Sequence, residues 1–194
     1  MTDKRFNKLI AFLKEIEKLK LVERQVKISN QKRFENSAEH SWDLAMWAWI
    51  FSDSLRPRPN LLKLFKMLLM HDLVEIYAGD TFFFDRPGRK SKNYREKKAA
   101  RKLFAGLPLD LKREFEKLRQ EFDNGKTKEA KIAHSIDKLQ PILQNIVSGG
   151  YGWKKHKITE TDIHEYKINY MLHDKEILKI FKKLIETAKK ANLI

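Results

Sequence analysis

Two histidines and two aspartates carry the chemistry open to this sequence: His40, the adjacent pair His71-Asp72, and Asp137. A set of two imidazoles and two carboxylates suits a divalent transition ion such as Mn, Co, Ni, Fe or Zn. It leaves coordination positions for water and substrate, which metal-assisted hydrolysis needs. Glu75 lies four residues after His71 and three after Asp72, so on a helix it faces the same side. Taken singly, each residue has a plainer reading. His40 could be a hydrogen-bonded histidine at a helix start, Asp137 a solvated helix residue, and Glu75 a surface carboxylate. A carboxylate at a helix C-terminus is disfavoured by the dipole, however. The joint placement is what points to a site.

The elements that must position these side chains are helices. Residues 61–76 hold no Gly or Pro, and their apolar residues recur at three- and four-residue steps around most of the circumference, which predicts a central, buried helix. Asp72 continues its row Leu61, Phe65, Leu68 and is followed by Ile76. A carboxylate there costs on the order of several kcal/mol unless something neutralises it. Asn36-Ser37-Ala38-Glu39 has the form of a capping box and puts His40 in the first turn of the preceding helix. The row His40, Leu44, Trp47, Phe51 is that helix's expected inner stripe. Arg56-Pro57-Arg58-Pro59 ends it, and Asn60 caps the central helix.

A helix over 127–147 turns Ile132, Ile136, Leu139, Leu143 and Ile146 inward, with Asp137 bordering the stripe. Pro141 is expected to bend it, and Gly149-Gly150 to stop it. Further helices are expected at about 4–19, 92–105, 110–123, 160–172 and 174–191, with no strand. Residues 20–36 read as a long connection carrying Arg24, Gln25 and Arg33, residues 77–88 as an irregular loop and 150–157 as another. The predicted class is all-α, a single-domain helical bundle over 1–194.

The 194 residues are 42% hydrophobic and include no cysteine, so disulfides and thiolate metal sites are excluded. No apolar run approaches the length of about 18 residues that a membrane span needs, and we read the chain as cytoplasmic. The formal charge of +15 raises the question of nucleic acid. Its densest cluster, Arg86 to Lys102, is interrupted by Glu96 and accompanied by no nucleic-acid motif. We read it as a lysine-rich coating of helix surfaces. The competing reading is a basic nucleic-acid-binding module with a vestigial metal site.

The ordered set His40, His71-Asp72, Asp137 resembles the signature of the HD-domain metal-dependent phosphohydrolases. Glu35-Asn36-Ser37-Ala38-Glu39-His40-Ser41, His71-Asp72-Leu73-Val74-Glu75 and Gly79-Asp80-Thr81 are similar to the branch containing the 5′-deoxynucleotidases. The likeness runs over about residues 15–150. It implies an HD-type bundle and one divalent ion on His40, His71, Asp72 and Asp137. Glu75, with Asp72, is implied as the catalytic carboxylate. The implied substrate contacts are Arg24 at the phosphate, then Gln25 and Asp80. The branch commonly has a Trp where this chain has Gln25, so the likeness leaves the sugar open. The implied reaction turns a (deoxy)nucleoside 5′-monophosphate into nucleoside and phosphate, the alternative being hydrolysis of another nucleotide or small phosphate ester, and the implied assembly is a homodimer. Arg33 and Lys138 are secondary anion contacts, better read as surface charges. His134 is expected to pack rather than hold a second ion.

Overall fold

The structure, a computed structural model, describes residues 1–29, 32–83 and 85–194. Helix α1 (Asp3–Ile16) tightens into a 3-10 turn (Glu17–Leu21) and leads to strand β1 (Glu23–Lys27). Strand β2 (Phe34–Asn36) runs directly into α2 (Ser37–Ser52). Then come α3 (Leu61–Met70), a 3-10 turn (His71–Val74), α4 (Glu75–Ala78), α5 (Arg86–Phe104), α6 (Leu109–Asn124) and α7 (Lys128–Val147). The chain finishes with α8 (Tyr151–His156), α9 (Glu160–Lys167), a 3-10 turn (Ile168–Tyr170) and α10 (Lys175–Lys190). The fold class is all-α, as the apolar periodicity predicts.

α2, α3 and α7 pack against one another, with α6 and α10 also against α7. Leu44, Ala48, Leu64, Met67, Leu68, Ala133, Ile136 and Leu139 fill their junction, and α10 closes it with Phe181 and Ile185. A smaller apolar cluster of Leu19, Met70, Leu73, Leu103, Phe104 and Leu107 lies at the other side of the α3 end. The His, His-Asp and Asp positions therefore sit on three mutually packed helical segments.

Several expectations are corrected. The stretch 20–36 contains an antiparallel pair, with Glu23 opposite Asn36 and Lys27 opposite Phe34 and an irregular register between. Only Val26 and Glu35 in these strands are buried, so no alternating apolar pattern marked them. The single helix expected over 61–76 breaks at His71, where a three-residue hydrogen-bonding pattern takes over. Residues 150–157 hold α8 rather than a loop, and α5 begins at Arg86, on the Asp85 cap, rather than at 92. Leu143 is exposed rather than inward; Trp47 is half-buried against the core, and Phe51 is half-buried. The capping predictions hold. Asn36 and Glu39 form the reciprocal box, and Asn60 accepts from the Lys63 N–H.

Candidate functional site

The local sequence explains how each side chain is delivered. The capping box starts α2 at Ser37, so His40 falls in its first turn and points inward, fully buried. His71 closes α3. Its Nδ1 donates to the Leu68 carbonyl at 2.7 Å, at the point where the α pattern gives way. Arg119 of α6 reaches the His71 carbonyl at 2.9 Å and is itself held by Glu96 (2.6 Å) and Asp123 (2.8 Å). The 3-10 turn then carries Asp72, and Glu75 opens α4, also buried.

The four predicted side chains meet. Donor atoms of His40, His71 and Asp72 all lie within 4.8 Å of one another. Asp137 places Oδ1 3.1 Å from His40 Nε2 and 4.0 Å from His71 Nε2. Asp72 lies 3.8 Å from His40 Nε2 and 3.1 Å from His71 Nε2.

The surrounding hydrogen bonds fix which nitrogen of each ring is free. Gln140 donates its Nε2 to Glu35 at 2.7 Å and to Asp43 at 2.8 Å, so its oxygen must face His40. His40 Nδ1, 2.9 Å from that oxygen, is then the protonated nitrogen. His71 Nδ1 is likewise committed to a carbonyl. When the rings are neutral, Nε2 is the unprotonated lone pair in each and is aimed at carboxylate oxygens. His71 Nε2 is buried with no hydrogen-bond partner among the described residues. Lone pairs facing anions repel in a low-dielectric site unless a cation lies between them. The donor set therefore fits a divalent metal ion.

Electrostatics agree with that geometry. Burial pushes His40 down to about 4, with Arg24 adding to the effect. Burial opposes ionisation of Asp72, but His71, His40 and Arg24 outweigh it and hold the carboxyl low. Asp137 is held well below the ordinary carboxylate range, since Lys138 and the two histidines overcome its burial. Glu75 goes the other way: burial first, then Asp72 and Asp80, raise it well above the ordinary value. Only one of its oxygens is engaged by Ser37, at 2.7 Å. Asp80 is raised by burial against the pull of Arg24.

A cavity of about 470 Å³ opens onto this cluster, lined by Asp72, Glu75, Asp80, Arg24, Gln25 and Asp137 among others. Arg24 pairs with Glu35 at 3.0 Å and Asp72 at 3.4 Å. Each predicted site residue therefore either belongs to the cluster or faces its cavity. Arg33 is an exposed residue paired with Glu39, as expected of a surface charge. Lys138 corrects the sequence reading: it is shielded from solvent and 2.6 Å from Asp137. His134 packs on Phe122 and bonds the Phe122 carbonyl at 2.8 Å, as expected of a packing residue.

Sequence reading missed Gln140, Glu35 and Arg119 as supporting groups. Gln140 had a signal, lying three residues after Asp137 on one helix face. Arg119 gave none that points to the site: Asp123 at i+4 is an ordinary helix ion pair, and the His71 carbonyl and Glu96 are distant in sequence.

Comparison with known proteins follows the geometry. The family model described as HD domain matches residues 16–177. The chain belongs to the HD-domain family. The crystal structure of a predicted metal-dependent phosphohydrolase from Magnetospirillum magnetotacticum MS-1 is 34% identical and covers 99% of each chain, with a TM-score of 0.90. A 5′-deoxynucleotidase (HDDC2) of Homo sapiens is 30% identical over 137 residues, which make up 70% of this chain and 66% of the human protein. The chain thus spans about two thirds of the length of that relative. An HD-domain phosphohydrolase from Listeria innocua shares the HD fold at a TM-score of 0.60 and 17% identity, over 95% of this chain and 98% of that one.

Proposed function

We propose that this protein is a divalent-metal-dependent phosphomonoesterase that converts (deoxy)nucleoside 5′-monophosphates to nucleoside and inorganic phosphate. The observation that carries the reading is the convergence of two Nε2 lone pairs and two carboxylates beside Arg24, against a cavity of nucleotide size. The 5′-deoxynucleotidase relatives support the substrate class. His40, His71, Asp72 and Asp137 would hold the ion. When bound, such an ion supplies Lewis acidity toward a phosphate oxygen and lowers the pKa of a coordinated water.

The remaining chemistry falls to this chain's side chains. Glu75 takes a proton from the attacking water as its oxygen bonds to phosphorus and the ester P–O bond breaks. The same carboxyl then returns a proton to the leaving alkoxide. Its raised affinity for protons suits this exchange. Arg24 offers its guanidinium to the non-bridging phosphate oxygens. Gln25 and Asp80 line the cavity where sugar and base would lie. We also propose a homodimer. Trp42, Trp49 and Ile50 are 63%, 64% and 65% exposed on α2, and a second copy would cover them.

Phosphate release from a panel of nucleoside 5′-monophosphates and simple phosphate esters, each with Mn, Co, Ni, Fe and Zn, tests the reading. Metal-dependent turnover of nucleotides above the simple esters supports it. Equal or greater turnover of simple esters transfers the assignment to a general small-ester phosphatase.

A further inference from the structure

The cavity holds a cation that the mechanism above does not use. Lys167 ends α9, and its side chain lines the same cavity as Arg24, Asp72 and Glu75. It is only 6% exposed. Among the described residues its ammonium donates one hydrogen bond, to the Lys138 carbonyl at 2.9 Å. An ammonium has three donors, so two remain.

The other shielded cations of this cavity are matched. Arg24 has Glu35 and Asp72, Arg119 has Glu96 and Asp123, Lys138 has Asp137, and Lys92 has Glu96 at 3.4 Å. Lys167 has no carboxylate within ion-pair distance among the described residues. Among the charges acting on it, the second cation Lys138 weighs most, ahead of the opposing Asp137 and then Arg24. The Lys138 and Lys167 ammonium groups lie 5.0 and 5.5 Å from the centre of the Phe83 ring.

A buried ammonium beside another is retained against both desolvation and repulsion. A phosphate entering the cavity reverses both terms, because a dianion between Arg24, Lys138 and Lys167 is attracted by all three. Lys138 Nζ is 2.6 Å from Asp137, and Lys167 bonds the backbone of Lys138, so the pair adjoins the proposed metal position. We infer that Lys167 is a phosphate-binding residue of this site, contacting the non-bridging oxygens of the substrate phosphate and retaining inorganic phosphate as product. The inference rests on the reading that the cavity takes a phosphate ester.

Calorimetric titration of the metal-loaded protein with inorganic phosphate, and separately with a nucleoside lacking phosphate, tests it on wild type, Lys167→Met and Lys167→Arg. Expected is a loss of at least about tenfold in phosphate affinity in Lys167→Met, largely restored in Lys167→Arg. Nucleoside affinity, metal content and thermal midpoint should stay at wild-type values. Unchanged phosphate affinity in Lys167→Met overturns the inference. So does a parallel loss of phosphate, nucleoside and metal binding that arginine does not restore, which would mark a packing role.

Should Lys167→Met not fold, the side-chain resonance of Lys167 in wild type carrying 15N-lysine, assigned with Lys167→Arg, should shift on phosphate titration. No shift overturns the inference. Phosphate binding that needs Lys167 without any nucleotide turnover would sink the nucleotidase reading and leave this one standing. Turnover indifferent to Lys167 would do the opposite.

Discussion

At the scale of single residues, the proposed site would separate side chains that hold a cation from one that handles a proton. Glu75 is bonded to Ser37 through one oxygen, and its burial, with Asp72 and Asp80 nearby, raises its pKa. Replacing it with Gln keeps the shape and the Ser37 contact but removes the basic oxygen. Glu75→Gln should retain bound metal and lose turnover by about 10²–10⁴-fold, read by metal analysis beside phosphate release. Gln140 acts one step back by fixing the His40 ring and its tautomer. Gln140→Ala should therefore weaken metal affinity by about 10–100-fold, measured by competition with a chelating dye.

The pH dependence of metal binding follows from the two histidines. Burial opposes protonation of His71, but Asp72 and Asp137 outweigh it and lift its pKa above the ordinary 6.5. A protonated Nε2 cannot bind a cation, so affinity should begin to fall at a pH above 6.5 as acid is added. Below that point the decline should be about tenfold per pH unit. His40, pushed down to about 4, stays neutral across the same window and contributes no second step. Metal titrations from about pH 8 to about pH 5 read this directly. A flat profile would contradict the assignment of His71 as a ligand.

At the scale of elements, the caps and breaks set the geometry. Gly79 ends α4 with φ +74 and ψ 152, a backbone state that side chains disfavour, although a Cβ there would meet open space. Gly79→Ala should lower stability by about 1–3 kcal/mol through backbone strain alone. It should also displace Asp80, which follows directly. Chemical denaturation measures the first effect and KM the second.

Much of this level was legible in sequence. The capping box placed His40 in a first helical turn, and the apolar rows placed Asp72 and Asp137 against the junction of α2, α3 and α7. The pairing of Glu23–Lys27 with Phe34–Asn36 was not legible, because Arg24 and Gln25 face the cavity and only Val26 and Glu35 of these strands are buried. Nor was the break at His71. It is stabilised by a histidine side chain on the Leu68 carbonyl and by Arg119 from α6, neither of which leaves a helix-breaking residue in the chain. Lys167 was invisible as a site residue because its role depends on the path of α9 back over the cavity.

At the scale of the whole molecule, the charge of +15 and the local balance of the cavity have different causes. Exposed lysines and arginines on α5 give a positive field that draws small anions, so kcat/KM for a nucleotide should fall as salt rises. Light scattering should return twice the chain mass of 23.1 kDa, and Trp49→Glu should return the single mass if α2 forms the interface.

The catalytic reading rests on one claim, that two histidines and two aspartates from three packed helical segments hold a single divalent ion. Metal stoichiometry by mass spectrometry on protein loaded with Mn or Co and then desalted, for wild type and His71→Ala, tests it most directly. The account predicts one ion per chain in wild type and none in the variant, with both proteins folded. A wild type that holds no ion, or a folded His71→Ala that retains it, would contradict the account.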